Sequence, residues 1–284
     1  MRKIVTGVDI GGSHITAALV DLDACEVIEE SITRQKVDSK GSADEILQNW
    51  SNAISECNAK VKDLECSGVG MAIPGPFDYE NGISLLKDQG KFKSLYKINV
   101  KERLQAKLGQ KVLMQNDAEC YMLGEYLGGA AKSTKRAIGL TLGTGIGSAY
   151  VIDGVATDAK LWESPMRDGI AEDYISTNWF LKRYQELAGG VVKNVKELSD
   201  KYDHDAQARQ VFEEFAISLS EFIGSFVSTI DPEVIVIGGN IMKAKNLFIP
   251  KVNEILANKG ISLPIDNSVL GEDAAILGAA SLIK

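Results

Sequence analysis

The sequence predicts an α/β protein built as two similar lobes facing each other across a cleft. Apolar strand-like runs alternate with helical patterns along the chain, which is the grammar of α/β folds. Residues 5–21 (VTGVDIGGSHITAALVD) are echoed at 137–153 (AIGLTLGTGIGSAYVID), an offset of 132. In that alignment Gly7 matches Gly139, Gly11 matches Gly143, Ala17 matches Ala149 and Asp21 matches Asp153, with apolar agreement at 8/140, 10/142, 19/151 and 20/152. Both copies share one order, strand, glycine turn, strand, and two copies of a supersecondary unit point to two lobes on one plan. A ligand between paired glycine-rich turns is then the default site.

The elements follow in order. Residues 3–10 and 15–21 read as strands around a Gly-Gly turn, and 26–34 as a third strand. Ser42 opens a helix, with Glu45 completing a capping box, and Leu47, Trp50, Ile54, Cys57 and Val61 recur at helical spacing. A buried strand at 66–73 is stopped by Pro74-Gly75-Pro76; a helix at 99–108, a strand at 111–115 and a helix at 117–127 follow. The second half repeats the theme with a strand pair at 137–142 and 147–153, helices at 170–188 and 205–229, a buried strand at 233–238, and helices at 241–257 and from 273. The charged, glycine-containing stretch 87–91 reads as a mobile loop. The expected division is an N-terminal lobe over 1–115, with the helix of 273–284 packing back on it, and a C-terminal lobe over 116–272.

Composition narrows the function classes. The 284 residues carry 31 Lys plus Arg against 39 Asp plus Glu, a net charge of −8. That balance disfavours nucleic-acid binding, which needs a basic face. It leaves an anionic nucleotide open, because backbone amides and a metal ion can meet phosphate charge locally. No apolar run approaches the ~18 residues of a membrane span, and Met1-Arg2-Lys3 leads directly into a strand, so no signal peptide is expected. Cys25, Cys57, Cys66 and Cys120 are scattered without a CxxC pair and read as reduced thiols of a cytoplasmic protein. His14 and His204 are the two histidines, too few for a Cys/His zinc site.

The glycines, 27 against 6 prolines, gather where phosphate chemistry would want them. Asp9-Ile10-Gly11-Gly12-Ser13 combines a turn whose amides can approach an anion with an Asp able to hold magnesium through water; an ordinary hairpin turn is the alternative. Gly143-Thr144-Gly145-Ile146-Gly147 contains GxGxG but is followed by strand, not helix, which disfavours a dinucleotide site and suits a second phosphate cradle or again a plain hairpin. Gly238-Gly239-Asn240 ends a buried strand and precedes a helix, where a flat ring such as adenine can lie against backbone; a plain strand-to-helix turn is the alternative. Asn116-Asp117 lies between strand and helix, where Asn116 can cap and Asp117 can take a proton as general base. Glu163 and Glu172, in a polar loop, suit bidentate contacts to sugar hydroxyls or simply a solvated surface.

The ordered set DIGGSHITAALVD, AIPGPFDYENG, VLMQNDAECYMLGEY, LTLGTGIGSAYVIDG and VIVIGGNI closely resembles the ROK family of sugar kinases, within the actin-like (ribonuclease H-like) ATPase superfamily. The resemblance runs from residue 4 to about 282. It implies ATP binding by Asp9, Gly11, Gly12, Ser13, Gly143, Thr144, Gly145, Gly238 and Gly239, with Asp9 near Mg2+. It implies sugar contacts from Gly75, Asn116, Asp117, Glu163 and Glu172, with Asp117 as catalytic base. The expected reaction is ATP-dependent phosphorylation of a hexose or hexose derivative, glucokinase-like, at the 6-hydroxyl, by a homodimer. The family's CxCGxxGC zinc motif and its upstream histidine are missing from LWESPMRDGIAEDY, so no structural zinc is expected and the sugar is left open. The alternatives are a catalytically reduced sugar-binding member and a sugar-responsive regulator, the latter disfavoured because a strand begins by residue 3 and leaves no room for a DNA-binding module.

Overall fold

A computed structural model describes residues 2–87 and 90–283; Asp88 and Gln89 of the 87–91 loop lie outside the described residues. The chain forms two compact units, Met1–Lys132 with Glu272–Lys284, and Ser133–Gly271.

In the first unit, β1 (Ile4–Ile10) and β2 (His14–Asp21) form an antiparallel hairpin, and β3 (Glu26–Val27) and β4 (Thr33–Lys36) pair with β2. The expected single strand at 26–34 is broken because a side chain takes the place of the ladder. Ser31 Oγ accepts the Leu19 N–H at 2.7 Å and donates to the Ile28 carbonyl at 2.6 Å, and Glu29–Ser31 coils into a 3-10 turn. Helix α1 (Ala43–Lys60) starts at the Ser42 capping box, where Glu45 Oε2 accepts the Ser42 N–H at 2.8 Å, and it buries Leu47, Trp50, Ile54 and Cys57. Then come β5 (Cys66–Ile73), β6 (Phe77–Asp78), β7 (Ile83–Ser84), α2 (Val100–Leu108), β8 (Val112–Asn116) and α3 (Asp117–Gly128). The sheet runs β3-β2-β1-β5-β8, with β1, β5 and β8 parallel. Their carboxyl ends share one edge, where open α/β sheets bind ligands.

The second unit repeats the plan. β9 (Arg136–Leu142), β10 (Ile146–Ile152) and β11 (Val155–Asp158) form an antiparallel meander. A short hairpin of β12 (Pro165–Met166) and β13 (Gly169–Ile170) leads through α4 (Ala171–Tyr174), α5 (Thr177–Ala188) and α6 (Val195–Asp200) to the long α7 (Ala206–Ile230). β14 (Val234–Gly238), α8 (Ile249–Asn258) and β15 (Ile265–Asn267) complete a sheet ordered β11-β10-β9-β14-β15. Two expected helices are interrupted. That at 170–188 splits because Ile175 leaves the helical region (φ −129°, ψ 58°), Ser176 is extended (φ −149°, ψ 163°), and the Ser176 side chain caps α5. That at 241–257 begins as a 3-10 segment, Asn240–Leu247, and only α8 is α-helical. Pro250 lies in the first turn of α8 and lacks the N–H a continuous helix would need.

The repeat is real as architecture, but its alignment slips by one. Ile10 pairs with Ile15 across a four-residue loop, whereas Leu142 pairs with Ile146 across three residues. Ala17 is therefore equivalent to Ser148, and Asp21 to Ile152; of the four identities only Gly7/Gly139 and Gly11/Gly143 are structural, with the apolar matches 8/140 and 10/142 on the same strand.

The chain returns to the first unit with α9 (Asp273–Ala280), which packs on β1, β5 and α3. Glycine lets backbones touch there. A Cβ at Gly7, Gly70 or Gly124 would overlap the carbonyl oxygen of Ile276, Ala279 or Ala274, and one at Gly278 would overlap that of Cys120. This packing moves the division between units. The sequence places it after residue 115, with the helix at 117–127 in the second lobe; instead α3 lies along α9 in the first unit, which extends to Lys132.

Candidate active site

Asp9 sits near the carboxyl end of β1, paired with Thr16 on β2 and Ala72 on β5. The hairpin turn is closed by the Gly11 N–H donating to the His14 carbonyl at 2.9 Å, and Gly12 and Ser13 are exposed. His14 is occupied locally, with Nδ1 2.9 Å from Ser13 Oγ.

The Asp9 carboxyl is pushed up from 3.8 to about 7, first by burial, then by the negative charges of Asp117 and Glu272, with Arg34 pulling the other way. Arg34 is itself paired with Glu272 at 2.6 Å. The ionised form of Asp9 thus costs the folded protein roughly a few kcal/mol. A folded-state value above the unfolded one means the native state holds the extra proton between pH about 4 and 7. Stability is then greatest at the acid end of that window, falls as pH rises through about 7, and is flat above. Asp9→Asn is expected to raise Tm by several degrees at pH 8 in nucleotide-free, metal-free buffer, and to leave it unchanged at pH 4. Equal melting at pH 8 would remove the electrostatic reading.

A divalent cation relieves such carboxylate repulsion. Among the described residues, no three His, Cys, Asp or Glu side chains are grouped to form a metal cage.

Asn116 is buried at the end of β8, where its Oδ1 accepts the N–H groups of Ala118 (2.8 Å) and Glu119 (3.2 Å) and so caps α3. Asp117 opens the helix, and its Oδ1 accepts the Ala118 N–H at 3.0 Å. Asn116 Nδ2 donates to the Tyr79 hydroxyl at 3.3 Å, which donates to the Ile73 carbonyl at 3.0 Å. A Cβ on Gly75 would come within 3.1 Å of that hydroxyl and 3.9 Å of Asn116 Nδ2. The structure thus gathers Gly75, Asn116 and Tyr79 beside Asp117. Sequence reading missed Tyr79, whose signal lay in plain view as the only aromatic hydroxyl in AIPGPFDYENG.

In the second unit, the Gly143–Gly145 turn is closed by the Gly143 N–H donating to the Gly145 carbonyl at 3.0 Å, with Thr144 exposed at its tip. Glu172 Oε2 accepts the Ile146 N–H at 3.1 Å, and a Cβ on Gly145 would overlap that oxygen. Gly238 pairs with Thr141, and Gly239, at φ +94°, lies so close to the Leu142 carbonyl that only glycine fits. The expected adenosine motif therefore abuts the expected phosphate turn. Glu163 lies on a turn that packs against α4, the helix that carries Glu172, and the carbonyl of its neighbour Ser164 accepts the Ala171 N–H at 2.9 Å. Glu163 is exposed on the 3-10 turn Leu161–Glu163 and, among the described residues, makes no hydrogen bond or ion pair.

The sequence model of the ROK family matches residues 5–159 and 167–284. The chain belongs to the ROK family. The unmatched 160–166 is the segment that holds Glu163. A glucokinase from Thermotoga maritima is 27% identical over 98% of this chain and 96% of its own length. An N-acetyl-D-glucosamine kinase from Histophilus somni is 25% identical over 97% of both. The ROK glucokinase of Streptomyces griseus, solved with glucose and AMPPNP, superposes with a TM-score of 0.77 at 21% identity, covering 98% of each chain. At that identity the structural likeness speaks for the ROK fold itself. No helix among the described residues is long and apolar enough to cross a membrane.

Proposed function

We propose that this ROK-family chain is an ATP-dependent kinase of a hexose or hexose derivative, acting at the 6-hydroxyl. The observation that carries it is Asp117. It stands at the mouth of α3 beside the Gly75–Asn116–Tyr79 group and close enough to Asp9 to raise its proton affinity, in a chain similar over nearly its whole length to proteins named as sugar kinases.

In this reading the sugar oxygen attacks the γ-phosphorus of ATP, the new O–P bond forming as the bond to ADP breaks. Asp117 takes the hydroxyl proton and later returns it to solvent. Gly75, Asn116 and Glu172 hold the sugar. The amides around Gly11–Ser13 and Gly143–Gly145 meet the phosphates, and Gly238–Gly239 lies under the adenosine. Asp9 would hold Mg2+, which when bound neutralises charge on the phosphoryl oxygens. Glu163, exposed on the turn that packs against the Glu172 helix, belongs to the same sugar-binding proposal. The cytoplasmic homodimer expected from the sequence belongs to the same proposal, as does the absence of a structural zinc.

An ADP-release assay across hexoses and amino sugars tests the reading. Sugar-dependent ADP formation well above the ATPase background is expected for at least one of them; sugar binding without turnover would leave a sugar-binding member instead. Bulk-metal analysis of the same sample is expected to find no tightly held zinc, and one zinc per chain would overturn that point.

A further inference from the structure

The segment between Ser164 and Ser176 carries Glu172, and its cross-links go further than a surface loop needs. Arg167 is its hub. At the tip of the β12–β13 hairpin it adopts a left-handed backbone, φ +54°, which is unfavourable for a non-glycine residue. In that conformation its Nη2 reaches Glu221 Oε2 on α7 at 2.8 Å, while its guanidinium lies 5.0 Å over the Tyr174 ring. The Tyr174 hydroxyl in turn donates to Asp168, beside Arg167. Asp173 Oδ2 accepts the Ile170 N–H at 3.0 Å, and the Ala171 N–H donates to the Ser164 carbonyl at 2.9 Å. Residues on both sides of Glu172 are thus fixed.

The far end of the segment is tied to the glycine turn twice. Glu172 Oε2 takes the Ile146 amide, and the Thr177 N–H donates to the Gly143 carbonyl at 2.8 Å. A carboxylate with one oxygen committed to an amide has its second oxygen held in a defined direction, suited to a sugar hydroxyl.

We propose that Arg167, gripping Tyr174 and Glu221, is a positioning residue that sets the Glu172 carboxylate against the Gly143–Ile146 turn, a clamp made of side chains that fixes sugar affinity. This rests on the assignment of Glu172 to sugar binding above. An exposed ion pair such as Arg167–Glu221 adds little to global stability, so its removal separates positioning from folding.

The test compares Arg167→Ala, Arg167→Lys, Glu221→Gln, Glu172→Ala and the double variant R167A/E172A in steady-state kinetics and thermal melts. For Arg167→Ala and Glu221→Gln the sugar KM is expected to rise about tenfold, with kcat and the ATP KM within about twofold and Tm nearly unchanged. Arg167→Lys keeps the charge but not the planar stack on Tyr174, and should recover only part of the loss. In the double variant the sugar KM should match that of Glu172→Ala alone, because both changes act through one carboxylate. An unchanged sugar KM in Arg167→Ala, an additive double variant, or a fall of all parameters together with Tm would each overturn the proposal. If Glu172→Ala itself leaves the sugar KM untouched, it is the sugar-binding assignment of Glu172 that fails. If the wild type forms no ADP with any sugar, it is the kinase reading.

Discussion

Asp117→Asn is expected to lower kcat by at least about 10²–10⁴-fold, the usual contribution of a general base, while sugar and nucleotide affinities stay within about threefold. The substitution leaves the main helix cap in place. Asn116, not Asp117, caps α3, and it does so with its own side chain on the Ala118 and Glu119 amides. The helix start therefore survives, apart from roughly 0.3–1 kcal/mol of lost charge–dipole interaction in the first turn. Removing this negative charge also removes one of the causes that raise the Asp9 carboxyl, so Asp9 should lose its proton at lower pH in the variant. Asp117→Glu keeps the base but displaces it by about a bond length, and about a hundredfold loss is the corresponding expectation. Steady-state kinetics with calorimetric titration of sugar and nucleotide check all of this. Near-normal turnover in Asp117→Asn would take the residue out of the mechanism.

Gly278→Ala should be among the most damaging single-methyl additions possible in this chain. The new Cβ would overlap the Cys120 carbonyl oxygen, and Gly124 makes the reciprocal approach to Ala274, so α3 and α9 can only separate. Overpacking typically costs about 1–3 kcal/mol. Here both colliding groups belong to regular backbone, and at least about 3 kcal/mol is expected, out of a total stability of about 5–15 kcal/mol. A fall in Tm of roughly 5–10 °C follows. The internal control is Gly224→Ala in α7, where the nearest atom to a new Cβ is Ile261 Cδ1 at 3.8 Å. Helix propensity then acts alone, and a gain of up to about 1 kcal/mol is expected. Thermal or urea melts of the two variants with opposite signs would confirm the helix contact as the cause; equal small effects would deny it.

The contrast between these two glycines shows what was legible in advance. The excess of glycine pointed to turns that could cradle phosphate, and the turns at 11–13 and 143–145 are there. Yet Gly7, Gly70, Gly124 and Gly278 serve packing, which no local pattern announces because each contact joins residues far apart in the chain. The same limit explains the misplaced division between units: hydrophobic spacing identifies α3 as a helix but not the partner it packs on. Local chemistry read well. The Ser42–Glu45 box and the Asn116 cap depend on neighbours within three residues. Where one side chain rewired the backbone, as Ser31 and Ser176 do, apolar periodicity ran on through the break. The candidate site was legible to the extent that its groups lie at strand and helix ends. Tyr79, reached only through folding of the 75–79 stretch, was not.

The placement of α9 bears on how the protein is made. Residues of the first unit leave the ribosome first, but the helix that covers β1 and β5 and sits against α3 is drawn from the last part of the chain. The whole of the second unit is synthesised in between. During that interval a sheet face designed for backbone-close contact stays uncovered, with nothing but glycine at its nearest points to discourage a stray segment from settling there. Vectorial synthesis would let the inserted unit mature early and oblige the enclosing one to wait.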